Sequence, residues 1–332
     1  MKGHWLRVVS TAFLLVSIIG FSSLASASEY VIKLGHIDPV THPHNLACKE
    51  FAKLVKERTN GKVEVQVYPA GQIGNAPNLM EQLQMGTIQM FQGAIGWWGS
   101  TIRDYWTLAA PFVFKDMNQC LATMQGDIGK NVSEELLKKA GVRTLTQCLV
   151  RNTRNLLVKQ PVKTLEDLNG LKIRVPEMTS WVLAWEALGA NPTPVPLTET
   201  YLALQQSVVV GTEHGLPQLL LNNFTEVAKY VVYTKHQFET AGFFISEDYF
   251  SSLPDNYQKI LVQSAKDAEK LNNKLQPDYL ESAKKKMIEQ EVIFIEIDND
   301  PWYKVGRKAL LEKVVPKVGM NRSILEQIWA SE

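Results

Sequence analysis

The chain has 332 residues, 45% of them hydrophobic, and carries 35 Lys+Arg against 34 Asp+Glu for a formal net charge of +1. So even a balance gives no basic surface for nucleic acid, and past the first residues no apolar run reaches the roughly 20 residues of a membrane span. Three cysteines, Cys48, Cys120 and Cys148, allow at most one internal bridge, for which Cys120 and Cys148 are the candidate pair.

Lys2 and Arg7 precede an apolar run from Val8 to Ile19, and small residues ending in Ala25-Ser26-Ala27 follow. That is the order of a secretory signal peptide over residues 1–27, cut after Ala27, with no cysteine at the cut to carry a lipid. About 305 residues remain, more than one core usually serves, so an exported soluble protein of two domains is expected.

Tyr30 to Gly35 reads as a first strand, Asn45 to Arg58 as an amphipathic helix ended by Asn60-Gly61, and Lys62 to Pro69 as an alternating second strand. A helix from Leu79 to Met85 stops at Gly86, and Thr87 to Gln92 enters the sheet just before Gly93-Ala94-Ile95-Gly96-Trp97-Trp98-Gly99-Ser100. Strands follow at Arg143 to Val150, Arg154 to Val158 and Leu171 to Val175, then a helix from Ser180 to Leu188 closed by Gly189. A long polar helix, about residues 255–290, leads into a strand from Val292 to Ile297. Strands alternating with helices imply an α/β fold built on mostly parallel sheet.

The chemistry of this pattern is that of a binding site. No G-x-S-x-G elbow, H-E-x-x-H helix, Walker loop or G-x-G-x-x-G fingerprint occurs, so an exported hydrolase is the minor reading and no cofactor is expected. His36, His42 and His44 lie close together, but their spacing fits no zinc pattern and no cysteine or carboxylate stands at metal spacing, so no metal is expected either. The alternative is a polar turn after the first strand, at the carboxyl edge where open α/β sheets bind ligands. In Asn169-Gly170-Leu171-Lys172-Ile173-Arg174-Val175-Pro176-Glu177 the alternation puts Lys172 and Arg174 opposite Leu171, Ile173 and Val175. Pro176 ends the strand directly after Arg174, whose planar fork can pair with a carboxylate for about 1.5–3 kcal/mol when sheltered.

Four segments together, Tyr68-Pro69-Ala70-Gly71-Gln72-Ile73-Gly74, Leu171 to Pro176, Gly189 to Pro196 and Tyr201-Leu202-Ala203-Leu204-Gln205, resemble the solute-binding proteins of tripartite ATP-independent periplasmic (TRAP) transporters, the DctP type. The resemblance implies a two-lobed periplasmic-binding-protein-like fold, each lobe a mixed sheet flanked by helices, with the ligand between them. Residues 28–150 plus about 240–279 would form lobe I, and residues 151–239 plus about 280–332 lobe II, with the long helix along both. It implies a monomeric periplasmic binder of an organic acid that serves TRAP membrane subunits. Arg174 would hold the carboxylate, assisted by Arg154 and His214, with His36, Gln92, Ala94, Glu177 and Leu197 also at the ligand.

Two departures bear on the ligand. Val209-Val210-Gly211-Thr212-Glu213 has valine where the family often has aspartate, and the loop after Gln92 carries Gly93-Ala94-Ile95-Gly96-Trp97-Trp98 where sugar-acid binders have polar groups. A sugar hydroxyl left unpaired there would cost about 1–3 kcal/mol. Adjacent residues of an extended segment face opposite ways, so one of Trp97 and Trp98 is expected at the ligand and the other in the core. The flanking glycines would let a flat ligand slide beside the indole, and Trp181, with Trp185 behind it, would supply the opposite wall. An aromatic or hydrophobic monocarboxylate, indole-type or an aromatic 2-oxo acid, is therefore the leading expectation. The alternatives are a small C4-dicarboxylate or hydroxy acid with the tryptophans merely packing, and a ligand-sensing subunit.

Overall fold

The computed structural model describes residues 28–331, so the expected leader at residues 1–27 lies outside it. Eleven strands are formed among the described residues: β1 Tyr30–Gly35, β2 Val63–Tyr68, β3 Met90–Ala94, β4 Val142–Val150, β5 Arg154–Val158, β6 Lys172–Val175, β7 Asn191–Pro194, β8 Gly211–Gly215, β9 Tyr230–Gln237, β10 Thr240–Ser246 and β11 Ile293–Ile295. They make two sheets, ordered β2-β1-β3-β10-β4 and β11-β9-β5-β8-β6-β7. In β1, Ile32 and Leu34 are fully buried while Val31 and Lys33 are exposed, the alternation of a strand with one covered face. Helix Pro43–Arg58 covers that face with Phe51 and Val55, its first turn capped by the His42 ring, which accepts from the His44 amide at 3.1 Å.

Both sheets are mixed, and the reason is the crossovers. The chain passes from β4 to β5 through residues 151–153 and returns from β9 to β10 through residues 238–239, too few for a helical connection. The returning β10 therefore enters the first sheet antiparallel to both β3 and β4, and β5 lies antiparallel to β8 and β9. As a result, the ends of β1, β3 and β4 and the start of β10 meet, across the crossovers, the ends of β6, β8 and β9 and the start of β5.

The long helix Asp255–Glu289 packs on helix Pro43–Arg58 and β4 in the first unit and on helix Leu216–Leu221 in the second. Its polar face satisfies the outer edge of β4: Asn273 accepts from the Val150 amide at 2.8 Å and donates to the Cys148 carbonyl at 2.9 Å, and Gln276 donates to the Val150 carbonyl at 2.9 Å. An edge strand's free backbone is thereby paired just before the crossover. Helix Asp300–Ala309 touches helix Thr179–Ala187, while helix Arg322–Ala330 returns to the first unit, where the Trp329 indole donates to the Val113 carbonyl at 2.8 Å.

All three cysteines are free and buried, so Cys120 and Cys148 are not bridged. Burial raises their thiol pKa values, that of Cys148 to about 12. No helix among the described residues is long and apolar enough to cross a membrane.

Candidate functional site

The second sheet brings two arginines to one edge. Arg174, on β6, lies opposite Thr193 of β7 and Thr212 of β8 and is 3% exposed. Its Nε donates to the Val195 carbonyl at 2.8 Å, while its terminal nitrogens have no carboxylate partner among the described residues. Burial lowers its pKa to about 10, still leaving it charged at neutral pH. A buried cation of this kind is costly unless an anion meets it.

Arg154, at the start of β5, is spoken for. Its Nε and Nη2 donate to the two carboxylate oxygens of Glu213 on β8 at 2.5 and 2.6 Å, and Nη2 also reaches the Glu213 carbonyl at 3.0 Å. Glu213 is fully buried and accepts again from His236 Nε2 at 2.9 Å. The ionised Glu213 carboxylate can only accept, so His236 Nε2 carries the proton and Nδ1 accepts from the Thr234 hydroxyl at 2.8 Å. Burial alone would raise the Glu213 carboxyl, but the Arg154 charge and these hydrogen bonds hold it well below the ordinary carboxylate range. His236 is kept neutral by burial, with Trp185 edge-on to its ring at 5.1 Å.

His214 follows Glu213. Its Nδ1 lies 2.9 Å from the Gly215 amide and its Nε2 3.4 Å from Arg154 Nη1, so both ring nitrogens face N–H donors. Burial and the Arg154 charge push its pKa well down, leaving a neutral ring. Leu197 is 38% exposed in the turn that follows the Val195 carbonyl. Glu177 is exposed and lines a cavity of about 210 Å³ with Trp106, Met178, Thr179, Ser180 and Val318. A larger hollow of about 610 Å³, beside the C-terminal helix, is lined by none of the residues at either edge.

The first sheet presents a different surface. Ala94 ends β3, and residues Ile95–Ser100 wind into a 3-10 turn rather than the extended segment expected. Successive residues there diverge by a third of a turn. The two indoles still part company: Trp97 is 37% exposed, while Trp98 is fully buried and packs edge-on against Phe91 and Phe244. The glycines do not open a path for a ligand. A Cβ on Gly93 would lie 2.2 Å from the Phe91 ring and one on Gly99 1.8 Å from the Trp106 ring, so protein side chains fill the space. Trp181, at 4% exposure, and Trp185, at 0%, are packed in the core beneath the arginines, so neither is an open wall in this structure.

Buried polar atoms without a protein partner gather near the two edges. Both amide atoms of Gln92, His36 Nδ1, Asn152 Nδ2 and Thr212 Oγ1 are among them. His36 Nε2 donates to Asn45 Oδ1 at 3.1 Å, so Nδ1 is left as an acceptor. Such atoms ordinarily pair with water or with a ligand.

Asp38, His42 and His44 bring ligand-type atoms within 4.8 Å of one another, the carboxylate neighbour that the linear spacing did not reveal. Each ring nitrogen is nonetheless engaged by protein. His44 Nδ1 meets Asp38 at 2.7 Å and its Nε2 lies 3.4 Å from the Val150 carbonyl, while His42 Nδ1 accepts from the His44 amide and its Nε2 meets the Gln218 side-chain amide at 2.9 Å. Arg151 stands 3.9 Å from the Asp38 carboxylate. This is a hydrogen-bonded cluster across the crossovers, with a cation where a metal's charge would go. Glu213, His236, Arg151, Gln218 and Glu239 were not singled out from the sequence; only the carboxylate flanked by small residues in Gly211-Thr212-Glu213-His214-Gly215 offered a cue.

Residues 34–313 match the family described as bacterial extracellular solute-binding protein, family 7, also called DctP. A solute-binding protein of Roseobacter denitrificans is 28% identical over 93% of this chain and 94% of its own length. The crystal structure of a TRAP periplasmic solute-binding protein from that organism, with bound L-galactonate, superposes with a TM-score of 0.82 at 28% identity, covering 92% of this chain and 100% of that one. A sialic acid-binding periplasmic protein of Vibrio cholerae is 30% identical over 75% of this chain and 78% of its own. A Pseudomonas putida TRAP solute-binding protein with bound D-glucuronate superposes with a TM-score of 0.82 at 25% identity, covering 90% of this chain and 97% of that one.

Proposed function

Since this chain belongs to the DctP family of bacterial extracellular solute-binding proteins, we propose that it captures a small hydroxylated monocarboxylate in the periplasm and delivers it to the membrane subunits of a TRAP transporter. The observation that carries this reading is charge. Of the three arginines at the crossovers and the facing edge, Arg154 is paired with Glu213, Arg151 stands between Asp38 and Glu239, and Arg174 alone lacks a carboxylate. One uncompensated guanidinium matches one carboxylate; a second anionic group on the ligand would meet Arg154 already neutralised. The buried unpaired atoms of Gln92, His36, Asn152 and Thr212 supply hydrogen-bonding capacity suited to hydroxyl groups. The bound sugar acids of the Roseobacter and Pseudomonas relatives agree with that chemistry.

A second reading, an aromatic monocarboxylate, is favoured by the half-open Trp97 indole, but it no longer has the glycine path or an open Trp181 wall behind it. A thermal-shift panel of L-galactonate, D-glucuronate, succinate and indole-3-acetate separates the readings. The sugar acids are expected to raise Tm, and Trp97→Ala is expected to leave that shift within about twofold in affinity, since one partly exposed contact carries little of it. Stabilisation by indole-3-acetate that Trp97→Ala removes would select the aromatic acid instead, and a response to succinate above all others would sink the monocarboxylate.

A further inference from the structure

We propose that Glu239 is a positioning residue of the cleft: its carboxylate holds the turn that presents Trp97 and ties it, through Arg151, to the crossovers between the sheets. The proposal rests on the reading of the facing edges as the binding site.

The turn Ile95–Ser100 begins after Ala94, which has no side chain able to cap it, so its first amides need acceptors from elsewhere. The Glu239 carboxylate, from another segment, packs directly against this turn at Gly96. The fit is close. A Cβ on Gly96 would lie 2.9 Å from Glu239 Oε1 and 2.8 Å from the Ala109 methyl, so glycine is needed here for contact rather than for an unusual φ.

The same carboxylate reaches back to the crossovers. Glu239 Oε2 lies 3.5 Å from Arg151 Nε, and the Arg151 amide donates to the Glu239 carbonyl at 3.2 Å, so the two short connections are bonded to each other. Arg151 continues to Asp38 at 3.9 Å, and Asp38 to His44 at 2.7 Å. The side chain of Glu239 is 13% exposed, so these contacts are shielded from water. Trp97 thus stands between two anchors: Trp98, fixed in the core against Phe91 and Phe244, and Gly96, packed on the Glu239 carboxylate. A movement of one sheet against the other that displaces the crossovers would be passed to the indole through this carboxylate.

Hydrogen–deuterium exchange of the ligand-free protein tests the link. Glu239→Ala is expected to speed exchange of residues 95–100 by about tenfold, as the turn loses the carboxylate packed against Gly96, with residues 172–175 unchanged. Glu239→Gln keeps an acceptor of the same shape and is expected to keep the protection. Gly96→Ala, which pushes the turn off the carboxylate without altering the crossover, is expected to match Glu239→Ala and serves in its place if that variant does not fold. Wild-type exchange of residues 95–100 in Glu239→Ala or Gly96→Ala would overturn the proposal, as would loss of protection in Glu239→Gln. No ligand enters this experiment, so a failed acid screen and a failed positioning role are read separately.

Discussion

The two facing sheet edges carry opposite chemistry. On the second sheet, Arg174, Arg154, Glu213, His214 and His236 form a buried polar set in which Arg154 and His236 share the Glu213 carboxylate while Arg174 has only the Val195 carbonyl. On the first, the end of β3 offers Ala94, a glycine-framed turn and one half-open indole, with no charge of its own beyond the carboxylate borrowed from Glu239. On the proposed reading, the prepaired edge would hold the ligand's carboxylate and the end of β3 would meet the rest of the ligand. Within the charged edge the two arginines repeat the lesson. They are alike in residue type, and differ in pairing because Glu213 reaches one and not the other.

Removing Glu213 should break this contrast most severely. Glu213→Ala strands Arg154 and His236 without their shared acceptor, and breaking a buried pair in this way costs about 3–5 kcal/mol, measurable by urea unfolding. The conservative Glu213→Gln keeps an acceptor but frees the second cation. Its acid preference is then expected to shift from monocarboxylate towards succinate in calorimetric titration. An unaltered ratio of affinities would mean that Arg154 plays no part in setting the ligand's charge.

Arg174→Ala gives the next largest effect, and on binding rather than folding. A sheltered, charge-assisted carboxylate pair of up to about 3 kcal/mol corresponds to a loss of roughly 100-fold in affinity. The ligand-free protein should be no less stable than wild type, because the change removes a buried cation that no carboxylate neutralises. Arg174→Lys, a point charge without the planar fork, is expected to fall between the two. Equal destabilisation of the ligand-free protein by Arg174→Ala and Arg154→Ala would erase the distinction between the two arginines.

The place of Arg174 near the end of its strand was legible because its cue is local: a four-residue strand, an alternation, and a proline directly after it. The splitting of Trp97 and Trp98 was legible too, though the backbone that splits them is a 3-10 turn rather than a strand. The network around Glu213 joins β5, β8 and β9, segments about 60 and 20 residues apart in the chain, and no local pattern reports such a meeting. Arg151 and Glu239 sit in two crossovers whose closeness depends on β10 entering the first sheet. The glycines misled for a similar reason. A missing side chain in the sequence does not say whether a ligand or a neighbour such as Phe91 or Trp106 takes the space.

The smallest expected effect probes the cluster that bridges the two units. His42, on the first, contacts Gln218 of helix Leu216–Leu221 on the second and is surrounded by Asp38, His44, Arg151, His36 and the Tyr279 ring. Burial lowers its pKa from 6.5 to about 3, against the pull of Asp38. Between those values the unfolded chain binds a proton that the folded one refuses, so stability falls as pH drops from about 6.5. By pH 5, His42 alone accounts for about 2 kcal/mol of that loss. Buried Glu239 and Glu269, whose pKa values are raised, work in the other direction, so the whole-protein curve mixes signs. The difference between wild type and His42→Asn isolates the residue, because asparagine keeps a helix cap but cannot titrate. Urea unfolding at pH 7 and pH 5 should show wild type losing about 2 kcal/mol more than the variant. Parallel losses would mean that His42 takes its proton inside the fold, and that its contact with Gln218 survives the charge.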